Sequence, residues 1–100
     1  MISFRAANEA DINYLLELRK QTMTPHLINA GIATTDEEHL LRIRYQFEYA
    51  QIILWQNAPI GLLKVVKGED SWEIVQFQIT PDFQGKGVGK KVLVQWGLSS

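Results

Sequence analysis

No cysteine occurs anywhere in the sequence, which rules out disulfides, thiolate-ligated zinc and cysteine nucleophiles. No apolar run approaches the roughly 20 residues needed to cross a bilayer. The first residues, Met1-Ile2-Ser3-Phe4-Arg5, lack the basic region and long apolar stretch of a secretion signal. The expectation is a soluble cytoplasmic protein. Neither sign of charge dominates. Ten Lys and Arg against eleven Asp and Glu leave a net charge of −1, so no overall basic field draws nucleic acid or an anionic membrane. Histidine is scarce as well: His26 and His39 stand apart from any cysteine or acid pattern, which favours surface or loop positions over metal ligation.

What is present reads as one compact unit. A chain of 100 residues suffices for one domain and not for two. Hydrophobic residues at 46% and charged residues at 21% are ordinary globular proportions. No repeat, low-complexity tract or linker interrupts it. Residues 2–5 read as a short strand. A helix follows from Glu9 to about Met23, with Asn8 as its N-cap and Ile12, Leu15, Leu16 and Met23 on one face. Thr24-Pro25 is expected to end it, because a residue before proline is pushed from the helical region.

A capping box, Thr35-Asp36-Glu37-Glu38, opens a second helix that carries Leu40, Ile43, Phe47 and Ala50 at helical spacing. The period then changes. Residues 51–55, 60–67 and 72–79 read as three β-strands, separated by turns at Asn57-Ala58-Pro59 and Gly68-Glu69-Asp70-Ser71. A last helix from about Gly87 to Trp96 has Val88, Val92 and Trp96 on one stripe, and Gly97 and Leu98 are placed for a Schellman ending. The order gives an α/β arrangement with a mostly antiparallel sheet, not the alternating βαβ of a doubly wound fold.

The chemistry concentrates in Gln84-Gly85-Lys86-Gly87-Val88-Gly89-Lys90-Lys91. This stretch joins a strand to the start of an amphipathic helix. Its glycines let the backbone turn and approach a ligand, and the helix start offers unpaired N–H groups and the positive end of a dipole. Lys86 and Lys90 add charge, so the segment reads as a phosphate or pyrophosphate site. A Walker A loop needs a different spacing and a hydroxyl. The dinucleotide fingerprint needs a βαβ unit and a third glycine one residue later. The kinase glycine loop lies between two strands.

The pattern that fits is [Q/R]-x-x-G-x-[G/A], with Gln84, Gly87 and Gly89 in its positions. Together with Ile79-Thr80-Pro81-Asp82-Phe83 before it, the segment resembles the GNAT superfamily of N-acetyltransferases. The element order from residue 1 also resembles the N-terminal half of that fold, so the resemblance covers the chain coarsely and residues 73–94 closely. It implies acetyl-CoA as cosubstrate. Backbone groups around Gln78 and Ile79 would hold the pantetheine arm, and the N–H groups of Gln84, Gly85, Lys86, Gly87, Val88, Gly89 and Lys90 would wrap the pyrophosphate. An N–H near Ile79 would polarise the thioester carbonyl while an amine attacks it directly.

An ammonium must lose a proton first, and Glu73 is the candidate base. Strand alternation places it on the same face as Ile79 unless a bulge intervenes, and its distance from the thioester calls for a water relay. The competing reading makes Glu73 a solvated strand residue beside Lys64 or Lys67. Trp55, Trp72 and Phe77 read as sheet-face packing, and Tyr14, Tyr45 and Tyr49 as helix residues with outward hydroxyls. The resemblance also places Arg19 and the segment Thr22-Met23-Thr24-Pro25-His26 beside the acceptor.

Members of that superfamily continue with a further strand, a helix and a final strand pair. The 100 residues carry none of these, so the chain is expected to be a single GNAT-like domain lacking its usual C-terminal strands and helix. Residues 72–79 would then form an exposed apolar edge that recruits a second copy. Two functions follow: an acetyltransferase, or a catalytically silent coenzyme A-binding or self-associating module.

Overall fold

The computed structural model of the chain describes residues 2–29 and 35–97, the side chains of 23–29 excepted. Four strands, β1 (Ile2–Ala6), β2 (Ala50–Trp55), β3 (Ala58–Lys67) and β4 (Trp72–Ile79), form an antiparallel sheet in the order β1-β2-β3-β4. Helices α1 (Ile12–Asn29) and α2 (Asp36–Arg44) cover one face, and α3 (Val88–Trp96) covers the other. Leu15, Leu18 and Ile43 from the helices meet Ala50, Ile52 and Leu62 on the first face. On the second, Val88 and Val92 of α3 pack against Ile53, Leu63, Val65 and Ile79. The inner strands β2 and β3 thus send side chains into both cores, and the outer strands add Ile2, Phe4, Phe77 and Ile79 to the second.

The hairpin between β2 and β3 turns on Gln56 and Asn57, both at positive φ (50° and 69°), the conformation whose twist suits a two-residue connection. Pro59 therefore lies inside β3 and not in the turn expected from Asn57-Ala58-Pro59. It is accommodated near the strand's start, beside a register shift between Ile53 and Leu54.

The first helix begins as expected and ends later. Asn8 accepts the N–H of Ala10 at 2.9 Å, and Asp11 closes the reciprocal half of a capping box around a 3-10 turn, Glu9–Asp11. The backbone then stays helical through Thr24-Pro25 to Asn29. Proline removes a single donor, and the bias on the residue before it is a preference that an established helix can override.

The second helix ends early, at Arg44, and not at Ala50. Tyr45 is extended, Gln46 is left-handed (φ 51°), and a 3-10 turn, Phe47–Tyr49, leads into β2. Phe47 and Ala50 do reach the core, from irregular backbone and from a strand. At the far end, Gly97 (φ 90°) closes α3 by donating to Leu93 and Val94 carbonyls. The expected contact of Leu98 lies outside the described residues.

Two of the quieter expectations are corrected by burial. His39 is buried on α2 and accepts the Nε–H of Arg19 at Nδ1 (3.1 Å); it is not a surface histidine. Burial, reinforced by the Arg19 charge, holds its pKa below the usual imidazole value. The Tyr14 hydroxyl points inward, buried with no partner among the described residues, and burial pushes its pKa up to about 12. Tyr45 and Tyr49 are exposed, as read.

β1 is tied to the start of the helical layer by Arg5, whose guanidinium donates twice to Asp11 at 2.8 Å. That paired bond holds the Asp11 carboxyl below the usual carboxylate range, and the N–H of Asn8 adds to the effect. A carboxylate lowered in the folded state stabilises above its unfolded pKa, and that stability is lost as pH falls through the folded value. Asp11→Asn is therefore expected to cost about 1 kcal/mol at neutral pH. The difference from wild type should vanish below about pH 3 in urea titrations. A pH-independent difference would mean that lost packing, not charge, sets the cost.

Candidate functional site

The site forms where β4 runs into α3. Among the described residues β4 is an edge strand with β3 as its one neighbour, so half of its backbone groups face away from the sheet. Which half can be read from two bonds. Thr80 N–H donates to Ile60 at 2.8 Å, so it points toward β3. The Ile79 carbonyl accepts Gln84 Nε2 at 2.8 Å, so it points outward. Because a residue's N–H and C=O lie on one side and alternate along a strand, Ile79 and Phe77 direct their N–H groups to the open edge.

Gly61 lets β3 and β4 approach closely at this level. A Cβ there would overlap the Gln78 carbonyl oxygen and stand 3.2 Å from Ile53 Cδ1.

After β4, a 3-10 turn (Pro81–Phe83) delivers the glycine loop. Gln84 spends its backbone N–H on Pro81 (3.2 Å) and its side chain on Ile79, which straps the loop to the strand end. Gly85 and Gly87 both adopt φ 74°, with open space where a Cβ would stand. The left-handed region is accessible to glycine at no steric cost, and it turns the chain into α3. The first bond within α3 runs from Lys91 to Gly87, so the N–H groups of Val88, Gly89 and Lys90 precede any intrahelical partner. The Val88 side chain is buried in the core, which leaves its N–H as the group available to a ligand. A Cβ at Gly89 would stand 3.7 Å from the Phe77 ring, an ordinary contact, so packing alone does not demand glycine there. Lys86 and Lys90 are exposed beside the loop. A cavity of about 500 Å³ adjoins it, bordered by Gly87, Lys90 and Lys91.

The residues read from the sequence thus fall into one continuous region from Gln78 to Lys90, with Glu73 apart from it. β4 carries a bulge. Gln76 pairs with Lys64 and Ile74 with Val65, which leaves Val75 as the extra residue. The bulge reverses parity. Ile79 and Phe77 share a face with Gly61 and Leu63, toward α3, whereas Glu73, Gln76 and Gln78 share the face of Val66, Lys64 and Leu62, toward α1 and α2. Glu73 is exposed on that face and not on that of Ile79. Lys64, a suggested neighbour, is buried beneath α2, and Lys67 lies over the Trp72 ring at 4.8 Å.

The sequence reading missed a second cavity, of about 460 Å³, between the first two helices and β4. Arg19, Arg42 and Tyr45 line it together with Gln76 and Gln78 of β4. Resemblance places Arg19 near an acceptor, whereas helical spacing assigns Arg42 only to the side of α2 away from its apolar stripe. Thr22 lies outside this lining, and the side chains of 23–26 lie outside the described residues. Among the described residues no group of three or more His, Cys, Asp or Glu could hold a metal ion, and no helix is long and apolar enough to cross a membrane.

No protein-family model and no curated protein matches the chain. Solved structures do. An acetyltransferase from Thermus thermophilus aligns over all of this chain and 70% of its own, at TM-score 0.70 and 16% identity. The PaiA N-acetyltransferase of Thermoplasma acidophilum, in complex with coenzyme A, aligns over 96% of this chain and 69% of its own, at TM-score 0.65 and 17% identity. N-acetylglutamate synthase from Neisseria gonorrhoeae, complexed with coenzyme A and N-acetyl-glutamate, matches at TM-score 0.61 and 19% identity. That match covers 96% of this chain and only 22% of the synthase. The four-stranded antiparallel sheet with helices on both faces, and the glycine loop opening α3, therefore have the fold of the GNAT acetyltransferases.

Proposed function

We propose that the chain binds acetyl-CoA through the Gln78–Lys90 region and transfers its acetyl group to an amine. The observation that carries this reading is the pairing of two left-handed glycines at the start of α3 with an open strand edge whose Ile79 N–H faces outward. The fit is physical. The loop has space on the Cβ side of Gly85 and Gly87, free helix N–H groups beyond it, and Lys86 and Lys90 to offset phosphate charge. The structural neighbours named in complex with coenzyme A support the same ligand.

Bound acetyl-CoA supplies a thioester, whose acyl carbon an amine attacks to give an amide and a free thiol. The N–H groups of Val88, Gly89 and Lys90 bind the pyrophosphate. The outward groups of β4 hold the pantetheine arm as a neighbouring strand would be held, and the Ile79 N–H donates to the thioester oxygen. Glu73 takes the ammonium proton through water. Toward its Trp72–Ile74 end, where Trp72 and Ile74 are exposed, the same edge receives a second copy.

One observation favours the alternative, a coenzyme A-binding module without turnover. Six residues separate Glu73 from Ile79, about 18 Å along a strand, and Glu73 is not among the residues that line the cavity. Thiol release measured with a panel of amines separates the two readings.

Calorimetric titration with acetyl-CoA tests the binding site itself. Gly87→Val is expected to weaken binding by roughly 100-fold, because a β-branched residue cannot hold φ 74° without strain. The same strain, about 1–2 kcal/mol, should lower its melting temperature by several degrees and leave it folded at 25 °C, since the loop is exposed. Unchanged affinity in a folded variant would remove the loop from the site.

A further inference from the structure

We propose that the cavity between α1, α2 and β4 is an oxyanion pocket, and that the acceptor it selects carries a carboxylate beside its amine. This rests on the acetyltransferase reading above and adds the chemical class of the acceptor. The argument begins with a charge count. The sequence has four arginines: Arg5, Arg19, Arg42 and Arg44. Arg5 is paired with Asp11 at 2.8 Å and Arg44 with Glu9 at 3.0 Å. Arg19 and Arg42 line the cavity, and among the described residues neither meets a carboxylate.

Arg19 is also held in place. Its Nε donates to His39 Nδ1 at 3.1 Å, which fixes the guanidinium plane and leaves both terminal nitrogens for another acceptor. The two cations are close enough to act on each other: burial first, and then the Arg42 charge, pulls the Arg19 pKa down. Two guanidinium groups facing one cavity without an acid between them repel, and a bound oxyanion reverses that sign. Their planar forks suit a carboxylate, which can accept two parallel bonds.

The rest of the lining favours an amine on the same molecule. Among the described residues the buried side-chain oxygens of Gln76 and Gln78 meet no donor. A small rotation of either amide offers its oxygen to an N–H group, and terminal amide torsions are broad. Gln78 adjoins Ile79, so an amine there lies beside the open edge at which the acyl group is held. A simple cationic amine would meet two positive charges and no negative one in this lining. A zwitterion of about amino-acid size matches both ends, and 460 Å³ accommodates one.

The test uses matched pairs that differ only in the carboxylate: L-phenylalanine with phenethylamine, and L-lysine with cadaverine. Binding of each to the full chain is measured by calorimetry, with and without saturating coenzyme A, so that the pocket is read independently of turnover. The amino acids should bind roughly tenfold or more tightly than their decarboxylated partners. Arg42→Gln, at an exposed position, should erase that preference while acetyl-CoA affinity and melting temperature stay unchanged. Equal binding within each pair, no binding by any member, or a preference that survives Arg42→Gln would overturn the proposal. Phosphoethanolamine is the control for the other oxyanion, and tighter binding than by either amino acid would overturn the carboxylate assignment in favour of phosphate. Failure of acetyl-CoA to bind, with the amino-acid preference intact, would instead strike the acetyltransferase reading and leave the pocket standing.

Discussion

Lys64→Ala is expected to destabilise the protein by about 4 kcal/mol, a large share of the roughly 5–15 kcal/mol that holds a domain folded. Lys64 sits on the central strand β3, fully buried, and its ammonium donates to the carbonyls of Arg42 (3.3 Å), Ile43 (2.9 Å) and Tyr45. These are the end of α2, where carbonyls lack helical partners and a positive charge is favourable. The lysine thus fastens α2 to the sheet and sets where Arg42 and Tyr45 stand. Removing it opens a cavity and leaves three acceptors unmatched. Urea denaturation of Lys64→Ala should show a much lower midpoint, and a loss below about 1 kcal/mol would mean that water replaces the ammonium at little cost.

Lys64→Met isolates the charge, because it keeps most of the volume. Burial pulls the Lys64 pKa from its ordinary 10.5 to about 8, with the Arg19 charge adding to the shift and Glu48 opposing it. Between those values the unfolded chain holds more protons than the folded one, so the folded state gains stability as pH rises. The advantage of wild type over Lys64→Met should therefore grow from about pH 8 to pH 10.5. A falling difference would show that the three carbonyls outweigh desolvation and hold the ammonium charged.

Lys64 also marks what the sequence conceals. Its neighbours Leu62, Leu63, Val65 and Val66 show a buried strand, and nothing local says that the charged residue among them is buried too. Its partners lie about twenty residues earlier, at a helix end whose position the lysine itself helps to fix. For the same reason the stop at Arg44 was illegible: Phe47 and Ala50 keep helical spacing and do reach the core, by another route. Local chemistry was far more readable. The cap at Asn8, the turn at residues 68–71 and the stripe of Val88, Val92 and Trp96 all depend on near neighbours and appear as expected. Of the box expected at Thr35 the described residues show one half, the bond from Glu38 N–H to the Thr35 hydroxyl. The glycine loop was legible for that reason, since its conformation and its helix are encoded within a few residues. The Arg19–Arg42 cavity was not, because it needs two helices and an edge strand brought together, and the face presented by Glu73 turned on one bulged residue, Val75.

Gly61→Val should have the second large effect, and it probes β4 from behind. At this position a side chain meets backbone: any Cβ overlaps the Gln78 carbonyl oxygen, and Ile53 Cδ1 closes the other side at 3.2 Å. A backbone atom cannot swing aside as a side-chain end can, so the strands must separate or the pairing from Gly61 to Ile79 must break. The expected cost is about 3 kcal/mol or more, read as a fall in the urea midpoint. Because the displaced residues are Gln78 and Ile79, acetyl-CoA binding should fall with it. Gly87→Val is the complement, losing the ligand and keeping the fold. A Gly61→Val variant as stable as wild type would show that β4 slides outward freely at this level. Retained stability with lost binding would show that the placement of Gln78 and Ile79 matters to the ligand alone.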